Sequence, residues 1–566
     1  MGFLPTSLKE VAALGWNEID IILFSADAYV DHPSFAAAVV GRILEDEGLR
    51  VVIVPQPNWR DDKRDFTKFG KPRLCFAISG GAMDSMVNHY TASKRIRSND
   101  AYTPAGKSGF RPDYAVTVYS NILKELYPDV PVIIGGIEAS LRRLTHYDYW
   151  QDKLLPSILC TSKADFLFYG MGERVLREFA RVSRNSFNPK RIKALHQVAF
   201  IEQKSSFKAK PDDIFLHSYE ECLKQKSAFG ENFVVLETQC NLLEASSRLI
   251  ERVGDEFIVV NPMYSTVSTE DLDSAFDLPY MRAPHPRYAS RGDIPAWNMI
   301  CNSVNIHRGC FGGCSFCTIS AHQGKFISSR STRSIMREID SIAKTATFHG
   351  TLSDVGGPSA NMYMVAGKDR SLCALCKRPS CLFPKKCRNL NADDKPLLEL
   401  YKAISLRRDI KYFYIGSGIR YDLFDGEDYL REVIEKHTCG RLKVAPEHTE
   451  QDVLELMRKP PFAFFERTKA LFDDICRRKN LNFQIVPYFI SSHPGCTLAH
   501  MKALHSKVLS TMHMTLEQVQ DFTPTPMTLS SVMFYTGENP YTHKKVYVPR
   551  SQTEKKAQKN QFFPKR

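Results

Sequence analysis

The sequence predicts an α/β protein in two parts, an N-terminal doubly wound parallel sheet followed by a partial β/α barrel. Three observations carry that expectation. Short apolar runs alternate with helical patterns through residues 1–190, and several of them end in paired glycines. From Ala296 onward strand candidates recur with helical patterns between them. The motifs with chemical content each follow one of those later strands. With 566 residues, 43% of them hydrophobic and 25% charged, the chain has the composition of an ordinary globular protein and material for more than one core.

In order, Ile19–Ser25 is a mostly apolar run, Ser34–Glu47 has helical spacing that stops at Gly48, and Val51–Val54 is a β-branched strand ending before Pro55 and Pro57. Phe76–Ser79 runs into Gly80 and Gly81, Val132–Ile134 into Gly135 and Gly136, and Phe166–Tyr169 into Gly170 and Gly172. Ligands of doubly wound sheets sit at the carboxyl ends of strands, where these glycines fall. Tight turns are their simpler use and the preferred reading. Residues 191–295 read as a connecting region: Lys204–Phe215 lacks apolar periodicity and reads as a loop, while Phe233–Glu237 and Phe257–Val260 read as short strands. The barrel spans 296–515, with strands at Ser303–Ile306, Thr351–Val355, Tyr412–Ile415, Leu442–Val444 and Asn482–Pro487. Helical patterns fall between them at Ser331–Thr345, Leu397–Ser405, Leu430–His437 and Phe464–Arg478, so the motifs converge on the carboxyl face where barrel enzymes carry their sites. Residues 516–566 form a basic tail. Net charge is +13, and from His543 to Arg566 eight basic residues accompany one acid. A solvated tail is the simpler reading; a basic arm that visits RNA or another acidic partner is the sharper one.

No apolar run reaches the roughly 18–20 residues that cross a bilayer, so no membrane segment is expected. The N-terminus shows no export signal. Fifteen cysteines, seven of them in two tight groups, then point to metal binding in a reducing compartment, and a cytoplasmic location is expected.

The first group is Cys310, Cys314 and Cys317, spaced Cys-x3-Cys-x2-Cys. Three thiolates hold three irons of a 4Fe–4S cluster and leave the fourth open, whereas electron-carrying clusters usually have four. Gly309, Gly312 and Gly313 let the loop bend closely around such a cluster, and Phe316 offers an aromatic face to an adenine or a shield against water. A zinc knuckle completed by His307 or His322 is the alternative. The second group is Cys373, Cys376, Cys381 and Cys387, in a cysteine-rich insertion at 367–390. Four thiolates fill either a zinc ion or a complete 4Fe–4S cluster, each with about −2 of charge, and Lys377, Arg378, Lys385, Lys386 and Arg388 supply a compensating field. Zinc and iron stay open there.

The Cys310–Cys317 loop, together with Asp354–Tyr363, Gly416–Leu423, Val444–His448 and Tyr488–Gly495, resembles the YgiQ-type radical S-adenosylmethionine proteins over most of the chain. That resemblance implies a 4Fe–4S cluster on Cys310, Cys314 and Cys317 with S-adenosylmethionine chelating the fourth iron. Its reductive cleavage would give methionine and a 5′-deoxyadenosyl radical. A flavodoxin- or ferredoxin-like reductant is expected as partner. Gly356, Gly357 and Pro358 match the block that binds the methionine amino group, where two glycines let backbone carbonyls approach an ammonium. Ser417 and Arg420 are candidates for the ribose hydroxyls and the carboxylate. Glu447, His448 and His493 also follow strands; a histidine there is either a proton donor or a satisfied loop residue. The N-terminal part resembles Rossmann-like domains that in some families bind cobalamin through a histidine in Asp-x-His-x-x-Gly. Here the stretch is Asp31-His32-Pro33, without the intervening residue or the glycine, and cobalamin is not expected. Besides a radical enzyme of unspecified substrate, two readings are an RNA-modifying methyl or methylthio transferase and a non-catalytic, zinc-stabilised nucleic-acid-binding protein.

Overall fold

In the computed structural model, which describes residues 2–424, 426–512, 516 and 519–563, the chain divides into two units. One comprises Met1–Leu236 with Glu244–Cys301, the other Glu237–Leu243 with Asn302–Arg566.

The first unit is built on β1 (Ile21–Ser25), β2 (Val51–Pro55), β3 (Cys75–Ser79), β4 (Val132–Gly135) and β5 (Phe166–Phe168), all parallel and ordered β2-β1-β3-β4-β5. Every residue of β1 and β2 is buried, as in strands covered on both faces. Helix Ala36–Asp46 packs on helix Glu173–Ser183, and Ala115–Leu126 packs on β3 and β4.

Residues expected only to connect extend this sheet. β6 (Val198–Gln203), β7 (Ile214–Phe215), β8 (Leu249–Val253) and β9 (Glu256–Val260) continue it in the order β5-β6-β9-β8-β7, antiparallel except at β7–β8. Phe233–Glu237, read as a strand, lies instead within the helix Lys226–Cys240. Its buried positions Ala228, Phe229, Asn232, Phe233 and Leu236 recur every three to four residues, and that helical period outweighs the local β-branched pair Val234-Val235.

The β2-β1-β3 order puts the topological switch point, where such folds take ligands, between β1 and β3. Here the chain's own charges fill it. Asp27, just past β1, meets the fully buried Arg111 at 2.7 Å, and Arg111 also reaches Asp100 at 2.8 Å and the Gly80 carbonyl at 3.2 Å. Gly81 has φ +100°, and a Cβ there would stand 2.2 Å from the Asp27 carboxylate, so only glycine admits this packing. Alongside, Asp84 pairs with Arg142, and Glu138 accepts from the Ser85 and Val116 amides, both at 3.0 Å.

The second unit carries β10 (Ser303–Asn305), β11 (Thr351–Leu352), β12 (Asp354–Gly356), β13 (Tyr412–Phe413), β14 (Arg441–Glu447), β15 (Gln484–Ser491) and β16 (Val519–Asp521). All of their pairings are parallel: β10 with β12, β11 with β13, and β14-β15-β16. The single strand expected at Thr351–Val355 is thus two short pieces with different neighbours. Helices Thr332–Ala343, Lys395–Ser405, Asp428–Lys436, Ala463–Arg478 and Leu498–Met512 alternate with these strands, giving the partial β/α barrel over one continuous apolar core. The register of β14 slips between Val444 and Glu447, leaving Glu447 at φ +68°.

The C-terminal segment is docked through one side of its helix, while Lys544, Lys545 and Lys556 stay exposed. In helix Gln552–Lys559, the Gln558 amide accepts from Ser492 N at 2.8 Å and donates to the Cys496 carbonyl at 2.7 Å. Lys555 buries its stem with Nζ 5.1 Å from the Phe534 ring, and Lys559 reaches Asp521 at 3.3 Å. Long basic side chains cover apolar surface here, which charge counting alone does not reveal. Residues 564–566, the end of the expected tail, lie outside the described residues.

Arg111→Met strips the counter-charge from two buried carboxylates. A loss of about 3–5 kcal/mol in stability is expected by urea denaturation, and an unchanged midpoint contradicts the crevice packing.

Candidate functional site

Cys310, Cys314 and Cys317 stand on the loop beyond β10, at the carboxyl end of the barrel, and all three are half-buried. Backbone sets their placement: Cys310 N donates to Gly324 O at 3.1 Å and Cys317 N to Cys314 O at 3.1 Å. A Cβ on Gly309, at φ +88°, would lie 2.3 Å from the Phe326 carbonyl, so the returning chain packs directly on the loop. Arg420 Nη1 donates to Cys314 Sγ at 3.3 Å, and Gly312 leaves room for that guanidinium. Burial pushes the Cys310 thiol up and Cys317 to about 12, with Arg420 opposing the shift at Cys310. Metal binding at such thiols must displace protons.

Gly356 ends β12, with Gly357 and the half-buried Pro358 after it. A Cβ on Gly356 would meet Ser417 Oγ at 2.4 Å, and one on Gly357 would fall within 2.4–2.8 Å of the His307 ring atoms. Ser417, expected at a ribose, gives its hydroxyl to Asp354, whose carboxylate also accepts Gly416 N at 2.9 Å and Ser417 N at 3.1 Å. Arg420, expected at a carboxylate, is held in a bidentate pair by Asp422 at 2.7 and 2.9 Å and faces the cysteine loop. The structure thus gathers Cys314, Gly312 and Arg420 on one side, and Gly356, Ser417, Gly357 and His307 on the other.

His307 is fully buried with no partner for either ring nitrogen, and burial holds the imidazole neutral, down to about 3. Its ring faces Gly357. His493 is satisfied: Nε2 meets Ser530 Oγ at 2.6 Å, and Ser530 Oγ donates to Ser315 Oγ at 2.8 Å, bracing the residue between Cys314 and Phe316. Phe316 packs edge-on to the His493 ring at 6.1 Å. His448 accepts Glu450 N at Nδ1 and lies 3.5 Å from Cys496 Sγ at Nε2. Of these histidines, His307 alone keeps both ring nitrogens without a partner.

Lys459, which the sequence did not single out, is 4% exposed with Nζ 3.8 Å from Glu447 and over the Tyr421 ring at 5.8 Å. Burial raises the Glu447 carboxyl, opposed by Lys459 and Arg420. A lone lysine before Pro460 carries no periodic signal; only the tertiary fold buries it.

These residues fit an anionic cluster with an amino-acid cosubstrate beside it: three thiols, two buried cations, a side-chain-free Gly356-Gly357 shelf and an imidazole with unused nitrogens. Among the described residues no group of three His, Cys, Asp or Glu side chains is already arranged to hold a single metal ion. The residues do not fit a histidine-ligated corrin. His32 Nδ1 accepts Ser34 N at 3.1 Å, Nε2 accepts Arg282 Nη2 at 2.9 Å, and Trp297 packs on the ring at 5.5 Å.

A family model described as "Radical SAM N-terminal" matches residues 3–303, and one for a domain of unknown function matches 517–563. A UPF0313 protein of Bacteroides thetaiotaomicron is 54% identical, covering 99% of this chain and 94% of its own. Another, from Porphyromonas gingivalis, is 56% identical, covering 99% and 90%. Among solved structures, the radical S-adenosylmethionine methyltransferase TsrM from Kitasatospora setae, with cobalamin and a [4Fe-4S] cluster bound, is similar in fold. It has a TM-score of 0.52 and 16% identity, over 90% of this chain and 74% of that one. No helix among the described residues is long and apolar enough to cross a membrane.

Gly357→Ala drives a methyl into the His307 ring. A stability loss of about 1–3 kcal/mol is expected from chemical denaturation, with recovery when His307→Ala is added. Equal stability of wild type and single variant would show the contact to be slack.

Proposed function

This chain belongs to the UPF0313 family of YgiQ-type radical S-adenosylmethionine proteins, and we propose that it is an enzyme cleaving S-adenosylmethionine at a 4Fe–4S cluster held by Cys310, Cys314 and Cys317. The observation that carries this reading is the convergence of those thiols, Arg420 and the Gly356-Gly357 shelf on the carboxyl end of one barrel. When bound, the cluster and its cosubstrate supply one-electron cleavage of the sulfonium, giving methionine and a 5′-deoxyadenosyl radical.

The chain's own residues position and shield. Gly356 and Gly357 keep backbone carbonyls accessible to an ammonium, and Pro358 brings no competing N–H. Asp354 fixes the 416–417 turn opposite them, orienting Ser417. Arg420 offsets thiolate charge at Cys314, and Asp422 keeps its planar fork in place. Lys459 brings a second buried cation near Glu447, suited to a carboxylate. His307 has ring nitrogens free to hydrogen-bond a ligand lying over Gly357. All fifteen cysteines are free, as a reducing cytoplasm would keep them, and a flavodoxin- or ferredoxin-class protein suits the electron supply.

An RNA-modifying transferase guided by a basic arm would have to rely on the exposed Lys544, Lys545 and Lys556, since Lys555 and Lys559 are engaged within the fold. The non-catalytic zinc reading leaves the Gly356-Gly357 shelf and Arg420 without use. Cobalamin has no histidine ligand available at His32.

Anaerobically reconstituted protein with dithionite and S-adenosylmethionine should release 5′-deoxyadenosine; Cys314→Ala should lose the activity, and Arg420→Met should retain the cluster with at least about tenfold slower release, roughly 1.4 kcal/mol. Cys314→Ala matching wild type would end this reading. Equilibrium dialysis against hydroxocobalamin should leave the protein without corrin, and stoichiometric retention would contradict the account of His32.

A further inference from the structure

The cysteine-rich insertion is folded onto the first cysteine loop. Cys381 N donates to Phe311 O at 3.0 Å, and the buried Ser380 hydroxyl donates to Gly312 O at 2.7 Å. A Cβ on Gly313 would stand 2.4 Å from the Pro379 carbonyl, so insertion and loop share backbone contact. Cys310 from the first group and Cys381 and Cys387 from the second pack against one small apolar core of Phe311, Met362, Val365, Leu382, Leu390 and Leu423.

Within the insertion the four thiols converge. Cys376 N donates to Cys373 O at 3.1 Å and Cys387 N to Cys381 O at 2.8 Å, closing two turns that bring the pairs together. Asn389 Nδ2 donates to Cys373 Sγ at 3.3 Å. The ammonium of Lys325 reaches in from the segment after the first loop: it is 1% exposed, donates to Arg378 O at 2.6 Å and lies 3.7 Å from Cys376 Sγ. Cys376, Cys387 and this ammonium all lie within electrostatic reach of both Cys373 and Cys381. A fully buried lysine is rare without an anion beside it. Its polar partners are the Arg378 carbonyl and the Cys376 thiol, so an anionic centre ligated by these cysteines would meet the ammonium directly.

We propose that Cys373, Cys376, Cys381 and Cys387 hold a second iron–sulfur cluster, with Lys325 as its buried counter-ion. Four thiolates complete the cluster, so this centre has no open iron and passes electrons only. Iron suits the surroundings better than zinc. A cluster gains a negative charge on reduction, which a buried ammonium and an N–H···S bond stabilise, whereas a zinc tetrathiolate never changes charge. The core shared with Cys310 sets the centre next to the first group.

The test isolates the second centre from the first. The Cys310→Ala/Cys314→Ala/Cys317→Ala variant, purified anaerobically, should retain about four irons and four sulfides per chain, brown and bleached by dithionite. Adding Cys376→Ala and Cys381→Ala should remove them. One zinc, or no metal, in the triple variant overturns the proposal while leaving the first-cluster reading untouched. If that variant fails to fold by far-UV circular dichroism, Mössbauer spectroscopy of the 57Fe-labelled wild type decides: about eight irons support the proposal and about four overturn it. For the counter-ion, Lys325→Met in the triple variant should lower the midpoint potential in an EPR-monitored titration, and Lys325→Arg should keep it near the parent value. A midpoint unmoved by Lys325→Met removes Lys325 from the proposal.

Discussion

Positive charge buried among thiols is the constraint on which the second unit is organised. An ammonium or guanidinium taken out of water costs several kcal/mol unless an anion or a set of acceptors meets it. Arg420, Lys459 and Lys325 are all nearly inaccessible, and each points toward a cysteine group or the carboxylate beside it. Arg420 has a close carboxylate pair in Asp422; Glu447 stands 3.8 Å from Lys459, and Lys325 meets the Arg378 carbonyl and Cys376 Sγ. The folded chain therefore carries cationic sites made whole when cysteines ionise. Metal ligation by the cysteines, as proposed, would couple binding to folding, because it would supply the anions these cations need.

The second organising element is the removal of side chains where ligands or loops must come close. Gly309, Gly312 and Gly313 each abut something a methyl would strike: the Phe326 carbonyl, the Arg420 guanidinium and the Pro379 carbonyl. Gly356 and Gly357 do the same against Ser417 and His307. Three separate stretches of chain are thus drawn within a single atomic layer of the cysteine loop, and none tolerates a Cβ at the contact.

Much of this was legible in the residues. Cysteine spacing marked both groups, and glycines after apolar strands marked the carboxyl ends of β3, β4 and β12. What escaped was whatever depends on long-range packing. β6 went unread because its partners β5 and β9 lie tens of residues away, β8 went unread although it closes a hairpin with β9 at Val253–Glu256, and Phe233–Glu237 looked extended until burial at helical spacing was visible. Lys325 and Lys459 are single lysines in irregular chain, indistinguishable by sequence from surface lysines. The C-terminal basic run is solvated at Lys544, Lys545 and Lys556, and the docking of Lys555, Gln558 and Lys559 escaped because charge was counted without their stems and amide. Ser417 and Arg420, expected at a ribose and a carboxylate, are partnered here by Asp354, Asp422 and Cys314.

The first unit shows why fold similarity stops short of ligand. Its strand order creates a crevice at β1/β3 of the kind that takes nucleotides or corrins, and a neighbour of similar fold holds cobalamin. In this chain Asp27, Arg111 and Asp100 form a buried, ion-paired network in that crevice, locked by a glycine that admits no side chain. A ligand entering there would have to displace charged groups from their partners and leave them unpaired in a dry interior, at about 3–5 kcal/mol for each pair broken. With His32 bound at both nitrogens, no ligand bond is on offer in return. The crevice that serves as a binding cleft elsewhere holds three charged side chains of this chain's own, and the residues proposed to act lie in the barrel.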